Sequence, residues 1–157
     1  MTEADVMLIA EIDAASNPTP WSLQQWQTAC EPLACEHLIG QQANLVHVHR
    51  VGQGIVAFSA WQRVLDECEL LNIAVSPEHR RKGIAIDFLS TSLAQWGERG
   101  VKTVFLEVRA SNLAAQTLYA RLGFMQNGLR QSYYKATATT AAEDAVLMQL
   151  NCAKQTG

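Results

Sequence analysis

Residues 68–96 read CELLNIAVSPEHRRKGIAIDFLSTSLAQW, and two periodicities within that stretch decide the fold. Cys68 to Val75 is an apolar run of strand length, ended by Ser76-Pro77. From Gly83 the period becomes helical: Ile84, Phe88, Leu89, Leu93 and Trp96 form one stripe, and Gly100 stands where a C′ glycine stops a helix. Between strand and helix lies Arg80-Arg81-Lys82-Gly83-Ile84-Ala85. Backbone N–H groups at a helix start, helped by the helix dipole, bind phosphate oxygens. Close approach needs small side chains, which Gly83 and Ala85 supply, and Arg81 and Lys82 add positive charge. Taken alone, these residues read more simply as a solvated basic turn. Neither the P-loop pattern nor the dinucleotide fingerprint is present.

Working outward, Val6 to Ala15 places Leu8, Ile9, Ile12 and Ala15 at helical spacing until Asn17-Pro18-Thr19-Pro20 breaks it. Ser22 reads as the N-cap of a second helix carrying Leu23, Trp26 and Ala29. Leu45 to Arg50 alternates as a half-buried strand does, Gly52-Gln53-Gly54 makes a hairpin turn, and Ile55 to Arg63 returns. A turn at Asp66-Glu67 leads into the strand ending at Val75. Val101 to Val108 is strand-like, and Asn112 to Leu122 is helical with Gly123 as its stop. Phe124 to Tyr134 and Ala145 to Leu150 close the series, around an exposed loop at Lys135 to Ala142. The order ααβββαβαββ predicts one mixed, largely antiparallel central sheet with helices on both faces. No repeat or linker divides residues 1–157, so a single domain is expected.

Forty-eight per cent hydrophobic content over 157 residues suits a globular core, and the net charge of −3 lacks the basic excess of a general nucleic-acid binder. The acidic start and the absence of a long apolar run predict no secretory signal and no membrane span, hence a cytoplasmic protein. Cys30, Cys35, Cys68 and Cys152 lack metal-ligand spacing and read as reduced, packed thiols. His37, His47, His49 and His79 suggest no metal site either, although His47 and His49 share one strand face.

Two further residues stand out. In Val104-Phe105-Leu106-Glu107-Val108, alternation puts Leu106 and Val108 on one face and Phe105 and Glu107 on the other. A carboxylate there marks either a solvated edge or a working cleft, and alone the former is the simpler reading. Tyr119, in Leu118-Tyr119-Ala120-Arg121-Leu122-Gly123-Phe124, would alone be read as core.

In series, Asn72-Ile73-Ala74-Val75, Arg80 to Ala85, Leu106-Glu107-Val108-Arg109, Ser111-Asn112 and Leu118 to Phe124 resemble the GNAT acetyltransferases in order and spacing. Within that superfamily the chain is similar to the ribosomal-protein alanine N-acetyltransferases, which share Pro20-Trp21-Ser22, Arg130-x-x-Tyr133-Tyr134 and a late Glu143-Asp144-Ala145. The resemblance implies the GNAT fold, acetyl-CoA as co-substrate, no metal, and a protein N-terminus as acceptor, such as the alanine of a small ribosomal protein. It implies that Ile73, Ala74 and Val75 run beside the pantetheine arm, with the Val75 N–H on the thioester carbonyl. Arg81, Lys82, Gly83, Ile84, Ala85 and Ile86 would hold the pyrophosphate, and Asn112 would touch the cofactor further along. Glu107 would be the general base and Tyr119 the general acid, with Tyr133, Tyr134, Glu143 and Asp144 meeting the acceptor. Ala85 stands where a second glycine is commoner, and Ile86 where near relatives often carry a basic residue. A small-molecule amine, a lysine side chain, or a non-catalytic acyl-CoA-binding module are the alternatives that the same residues leave open.

Overall fold

Four helices and six strands follow one another in the expected order in the computed structural model, which describes residues 1–31, 43–138 and 140–152. Cys35 and His37 lie outside the described residues. The elements are α1 (Glu3–Ala14), α2 (Leu23–Cys30), β1 (Ala43–Val51), β2 (Gly54–Val64), β3 (Glu67–Val75), a 3-10 turn at Pro77–His79, α3 (Ile84–Glu98), β4 (Thr103–Arg109), α4 (Leu113–Arg121), β5 (Met125–Tyr134) and β6 (Glu143–Asn151). No helix among the described residues is long and apolar enough to cross a membrane.

Local chemistry explains the helix boundaries. The Ser22 hydroxyl accepts from the Gln25 N–H, and the Gln25 side chain returns to the Ser22 N–H, a reciprocal capping box. Thr2 and Asp5 form the same box on α1, which therefore begins ahead of its apolar stripe. The β2–β3 turn is Leu65-Asp66 rather than Asp66-Glu67, because Val64 already pairs with Glu67 and Leu65 takes a left-handed φ of 56°. A two-residue hairpin wants positive φ, and Leu65 bears that cost without being glycine.

The sheet runs β1-β2-β3-β4-β6-β5, antiparallel except where β3 meets β4. One face packs under α3 and α4 through Trp61, Leu89, Trp96, Val104, Leu106 and Tyr119. The other packs under α1 and α2 through Ile9, Ile12, Trp26, Phe58 and Ala74. Each large side chain buried this way is worth roughly 1.5–3 kcal/mol.

One irregularity places the site. Ala60 pairs with Asn72 while Trp61 pairs with Leu70, so Leu71 is an extra residue in β3. Before this bulge Cys68 and Leu70 belong to the α3/α4 core; after it Ile73 packs against that core, and Ala74 belongs to the α1/α2 core. The bulge has flipped the strand's faces. Pairing of β3 with β4 ends at the same place, at Leu70 with Leu106. Beyond that pair the two strands splay apart.

Candidate active site

The splay leaves one edge of β3 without a neighbouring strand. Val56 and Ser76 are opposite partners joined by the Ser76 N–H to Val56 C=O bond, 2.8 Å. Antiparallel pairs alternate, so Ala57–Val75 and Ser59–Ile73 are the non-bonded pairs, with backbone groups turned away from β2. The N–H and C=O groups of Ile73 and Val75 therefore face the gap. Arg80 confirms the direction by donating Nε–H to the Val75 carbonyl at 3.1 Å. An extended chain with alternating amide groups could pair with this edge as an added strand.

At the end of β3 the chain turns into α3. Gly83 is its N-cap at φ 82°, and no side chain caps the helix. The other three helices are capped by Thr2, Ser22 and Asn112. The first N–H groups of α3 are thus left for another acceptor, as an anion site requires. Arg81 and Lys82 are exposed beside this terminus, and Arg81 holds a left-handed φ of 61°. A Cβ on Gly83 would meet nothing nearer than Asp87 Oδ2 at 3.8 Å, so the glycine answers to backbone conformation rather than to crowding. Ala85 lines the adjoining cleft, while Ile84 and Ile86 are half-buried.

That cleft, of about 630 Å³, opens between the splayed strands. Its lining includes Leu70 to Val75 from β3, Glu107 to Arg109 from β4, the N-cap Asn112 and Tyr119 of α4, Tyr134 from β5, and the Ser16 to Thr19 turn with Trp21. Glu107, on the face opposite Leu106 and Val108 as alternation requires, receives Arg130 Nη1 at 3.0 Å. Tyr133 also hydrogen-bonds to Glu107, which raises the phenol's pKa. Tyr134 is raised by burial and then by the Glu107 charge. Glu69, opposite Phe105 on the neighbouring β3, is held above the usual carboxylate range by burial and then by Glu107. Tyr119 is 6% exposed, and burial, then the nearby Tyr134, pushes its hydroxyl pKa upward.

The two acidic residues expected at the acceptor are engaged by the chain itself. Glu143 accepts from the Ser111 N–H at 2.6 Å and from Arg109 Nη1 at 3.2 Å, bonds that hold its pKa below normal. Arg109 in turn stacks on the Tyr134 ring, 4.1 Å from its centroid. Asp144 accepts from the Ser132 N–H at 2.8 Å. Ser132 has φ 49°, and the β5–β6 register shifts between Arg130 and Tyr134. That irregularity brings the consecutive Tyr133 and Tyr134 rings edge to face, 5.2 Å apart, beside Glu107. Asn112 lines the cleft, with its Oδ1 taken by the Ala115 N–H at 3.1 Å.

Comparison with known proteins follows the same geometry: residues 9–124 match the acetyltransferase (GNAT) family. The chain belongs to that family. It is similar to the [ribosomal protein bS18]-alanine N-acetyltransferase of Escherichia coli K12, 45% identical over 96 residues, which span 61% of this chain and 64% of that relative. The protein of the same name from Haemophilus ducreyi is 35% identical over 150 residues, 96% of both chains. The crystal structure of the ribosomal-protein-S18-alanine N-acetyltransferase from Escherichia coli superposes with a TM-score of 0.83 at 33% identity, over 97% of this chain and 90% of that one.

For a GNAT chain, the structure gathers Ile73, Ala74, Val75, Ala85, Glu107, Asn112, Tyr119 and Tyr134 around one cleft. Arg81, Lys82 and Gly83 stand at the α3 terminus, and Tyr133, 44% exposed, stands behind Glu107. Sequence reasoning assigned no role to Arg130 or Arg109, and missed the buried Asp13 and its partner Asn72. The Arg130–Glu107 pair spans 23 residues across two strands that are not neighbours, and no local spacing announces it.

Proposed function

We propose that this GNAT chain transfers the acetyl group of acetyl-CoA to the α-amine of a protein N-terminus, and that an N-terminal alanine of a ribosomal protein is the acceptor. The open edge of β3 above Glu107 carries this reading. It offers backbone N–H and C=O groups for a pantetheine arm, with an uncapped helix start at one end and a carboxylate and a phenol at the other. The acceptor class rests on the two named relatives, one of which is matched along 96% of its length.

Acetyl-CoA supplies an activated thioester, and the chain's residues supply position and proton transfer. The Val75 N–H is a preorganised donor for the oxygen on which charge develops. Ile73 and Val75 fix the pantetheine arm, and the N–H groups of Ile84, Ala85 and Ile86, with Arg81 and Lys82, take the pyrophosphate. Glu107 is the general base: an α-amine has a pKa of about 7.7–8.0, so a nearby carboxylate removes its proton with modest help. The incoming ammonium takes the place at Glu107 that Arg130 occupies, and half-exposed Arg130, which also lies over the Tyr133 ring at 5.3 Å, moves aside. Tyr119, protonated throughout the neutral range, donates to the departing thiolate. Tyr133 and Tyr134 wall the acceptor, and Glu143 and Asp144 act by holding that wall.

Incubation with acetyl-CoA and a panel of peptides, lysine peptides and small amines, followed by mass spectrometry, tests the proposal. Acetylation at the α-amine of alanine-initiated peptides is expected. Acetyl transfer confined to lysine side chains or small amines overturns it.

A further inference from the structure

One wall of the cleft is a turn without regular structure, Ser16 to Thr19 with Trp21, and its position traces to a side chain that is not part of the cleft lining. Asp13, in the last turn of α1, is 0% exposed. Its Oδ2 accepts from the Trp21 N–H at 2.8 Å and the Trp26 Nε1–H at 3.0 Å. Its Oδ1 accepts from Asn17 Nδ2–H and, at 3.2 Å, from Asn72 Nδ2–H. Asn17 also donates to Asn72 Oδ1 at 3.0 Å. No Lys, Arg or His pairs with Asp13 among the described residues. Four donors from the cleft turn, α2 and β3 converge on one carboxylate.

The placement of Asn72 makes this network informative. Asn72 follows the Leu71 bulge, on the half of β3 that has left β4. The network therefore ties the cleft turn to the splayed strand at the point where the gap begins. A buried carboxylate without a counter-cation is costly, and apolar packing of similar volume usually gives equal or greater stability. Such a group is more readily explained by the geometry it specifies than by the stability it adds.

We infer that Asp13 is a positioning residue for the acceptor: it holds the Ser16–Trp21 wall against β3 so that the acceptor amine is presented to Glu107. The inference rests on the N-acetyltransfer reading above. Among the described residues the Ile73 and Val75 amide groups and the α3 terminus, which take acetyl-CoA in that reading, make no bond to Asp13; the wall meets that edge through Arg80, which donates to the Ser16 hydroxyl at 2.8 Å and to the Val75 carbonyl at 3.1 Å. Loss of Asp13 should thus separate the two substrates.

The test is steady-state kinetics of Asp13→Asn with the best acceptor peptide and acetyl-CoA varied in turn. Asn keeps the shape but turns an amide donor toward donors. The acceptor KM should rise on the order of tenfold or more, since small misplacements cost up to ~10²-fold, while the acetyl-CoA KM stays within about twofold. A merely structural role lowers the folded fraction, so kcat falls and both KM values stay where they are. That pattern, or an equal rise in both KM values, overturns the inference. Trp26→Phe removes one of the four donors while keeping an aromatic ring against Trp21, whose ring centroid lies 4.6 Å away, and should give a smaller shift of the same kind. If Asp13→Asn does not melt cooperatively, Trp26→Phe decides by the same criterion. A wild-type chain that acetylates no amine sinks the functional reading and this one together; acceptor KM unchanged in an active variant sinks this one alone.

Discussion

Tyr119 packs against Phe124 with the rings tilted and their centroids 5.8 Å apart, and lines the cleft at the same time. Replacement by Phe keeps the ring and its packing and removes only the hydroxyl. Tyr119→Phe should lower kcat by about 10²–10⁴-fold if the hydroxyl is the acid, with melting temperature and acetyl-CoA affinity near wild type. A donor whose leaving thiol has a lower pKa should shrink the loss, because that thiolate needs less protonation. Undiminished turnover would return Tyr119 to the core alone. Arg81 shows the opposite economy. A non-glycine residue in the left-handed region costs roughly 1–2 kcal/mol, and such outliers gather at functional sites. Arg81→Gly should therefore leave melting temperature unchanged or higher while weakening acetyl-CoA binding in calorimetry. Equal affinity would remove Arg81 from the pyrophosphate site.

At the scale of elements, two bulges build the cleft. The one at Leu71 opens β3 from β4; the one around Ser132 swings Tyr133 and Tyr134 together beside Glu107. Asp144 secures the second through the Ser132 N–H. Asp144→Ala should cost about 1 kcal/mol for the lost hydrogen bond and raise the acceptor KM more than the acetyl-CoA KM. Ser132→Gly in that background should recover part of the loss, because glycine tolerates φ 49° freely. No recovery, with both KM values moving together, would show that the bulge does not shape the acceptor wall.

For the molecule as a whole, a pH-sensitive point lies on the α3/α4 face of the sheet, at His47. His47 stacks on Trp96 with centroids 5.5 Å apart, its Nδ1 is 3.1 Å from the Ser92 hydroxyl, Trp61 and Arg99 lie nearby, and Asp87, Thr91 and Gln95 line the same cavity. Burial, then the Arg99 charge, lowers its pKa from the ordinary 6.5. The unfolded chain thus binds a proton that the folded chain resists, so this contribution is complete above pH 6.5 and is lost as pH falls below it. Thermal melts should show stability declining below pH 6.5, and His47→Gln should flatten that limb. Asp5, which accepts from the Thr2 N–H at 2.9 Å and pairs with Arg50 at 2.8 Å, has its pKa lowered from 3.8 to about 2. Its contribution is present above pH 3.8 and disappears as pH falls toward 2, a separate window. A melt profile level between pH 7.5 and 5 would refute the His47 assignment.

The sequence by itself determined the order of elements, because each helix and strand here carries its own period and its own stop. The 3.6-residue stripe from Ile84 to Trp96, the alternation around Glu107, and the Ser22 cap are local properties that no neighbour needs to supply. The basic run before Gly83 was legible for the same reason, and its order relative to Glu107 and Tyr119 pointed to the family. Bulges, pairings and buried networks are not local. Leu71 differs in nothing visible from Leu70, yet it is the residue left over when β2 and β4 both claim β3. Only the packed sheet decides which donors reach each carboxylate. Glu143 and Asp144, expected at the acceptor, take donors from Arg109, Ser111 and Ser132, which other elements bring to them. Asp13 reads as one more acidic residue near a helix end, and becomes the centre of four hydrogen bonds only because α2 and β3 fold over it. Desolvation makes that difference: a carboxylate removed from water must find donors wherever tertiary structure puts them, and sequence distance carries no record of where that is.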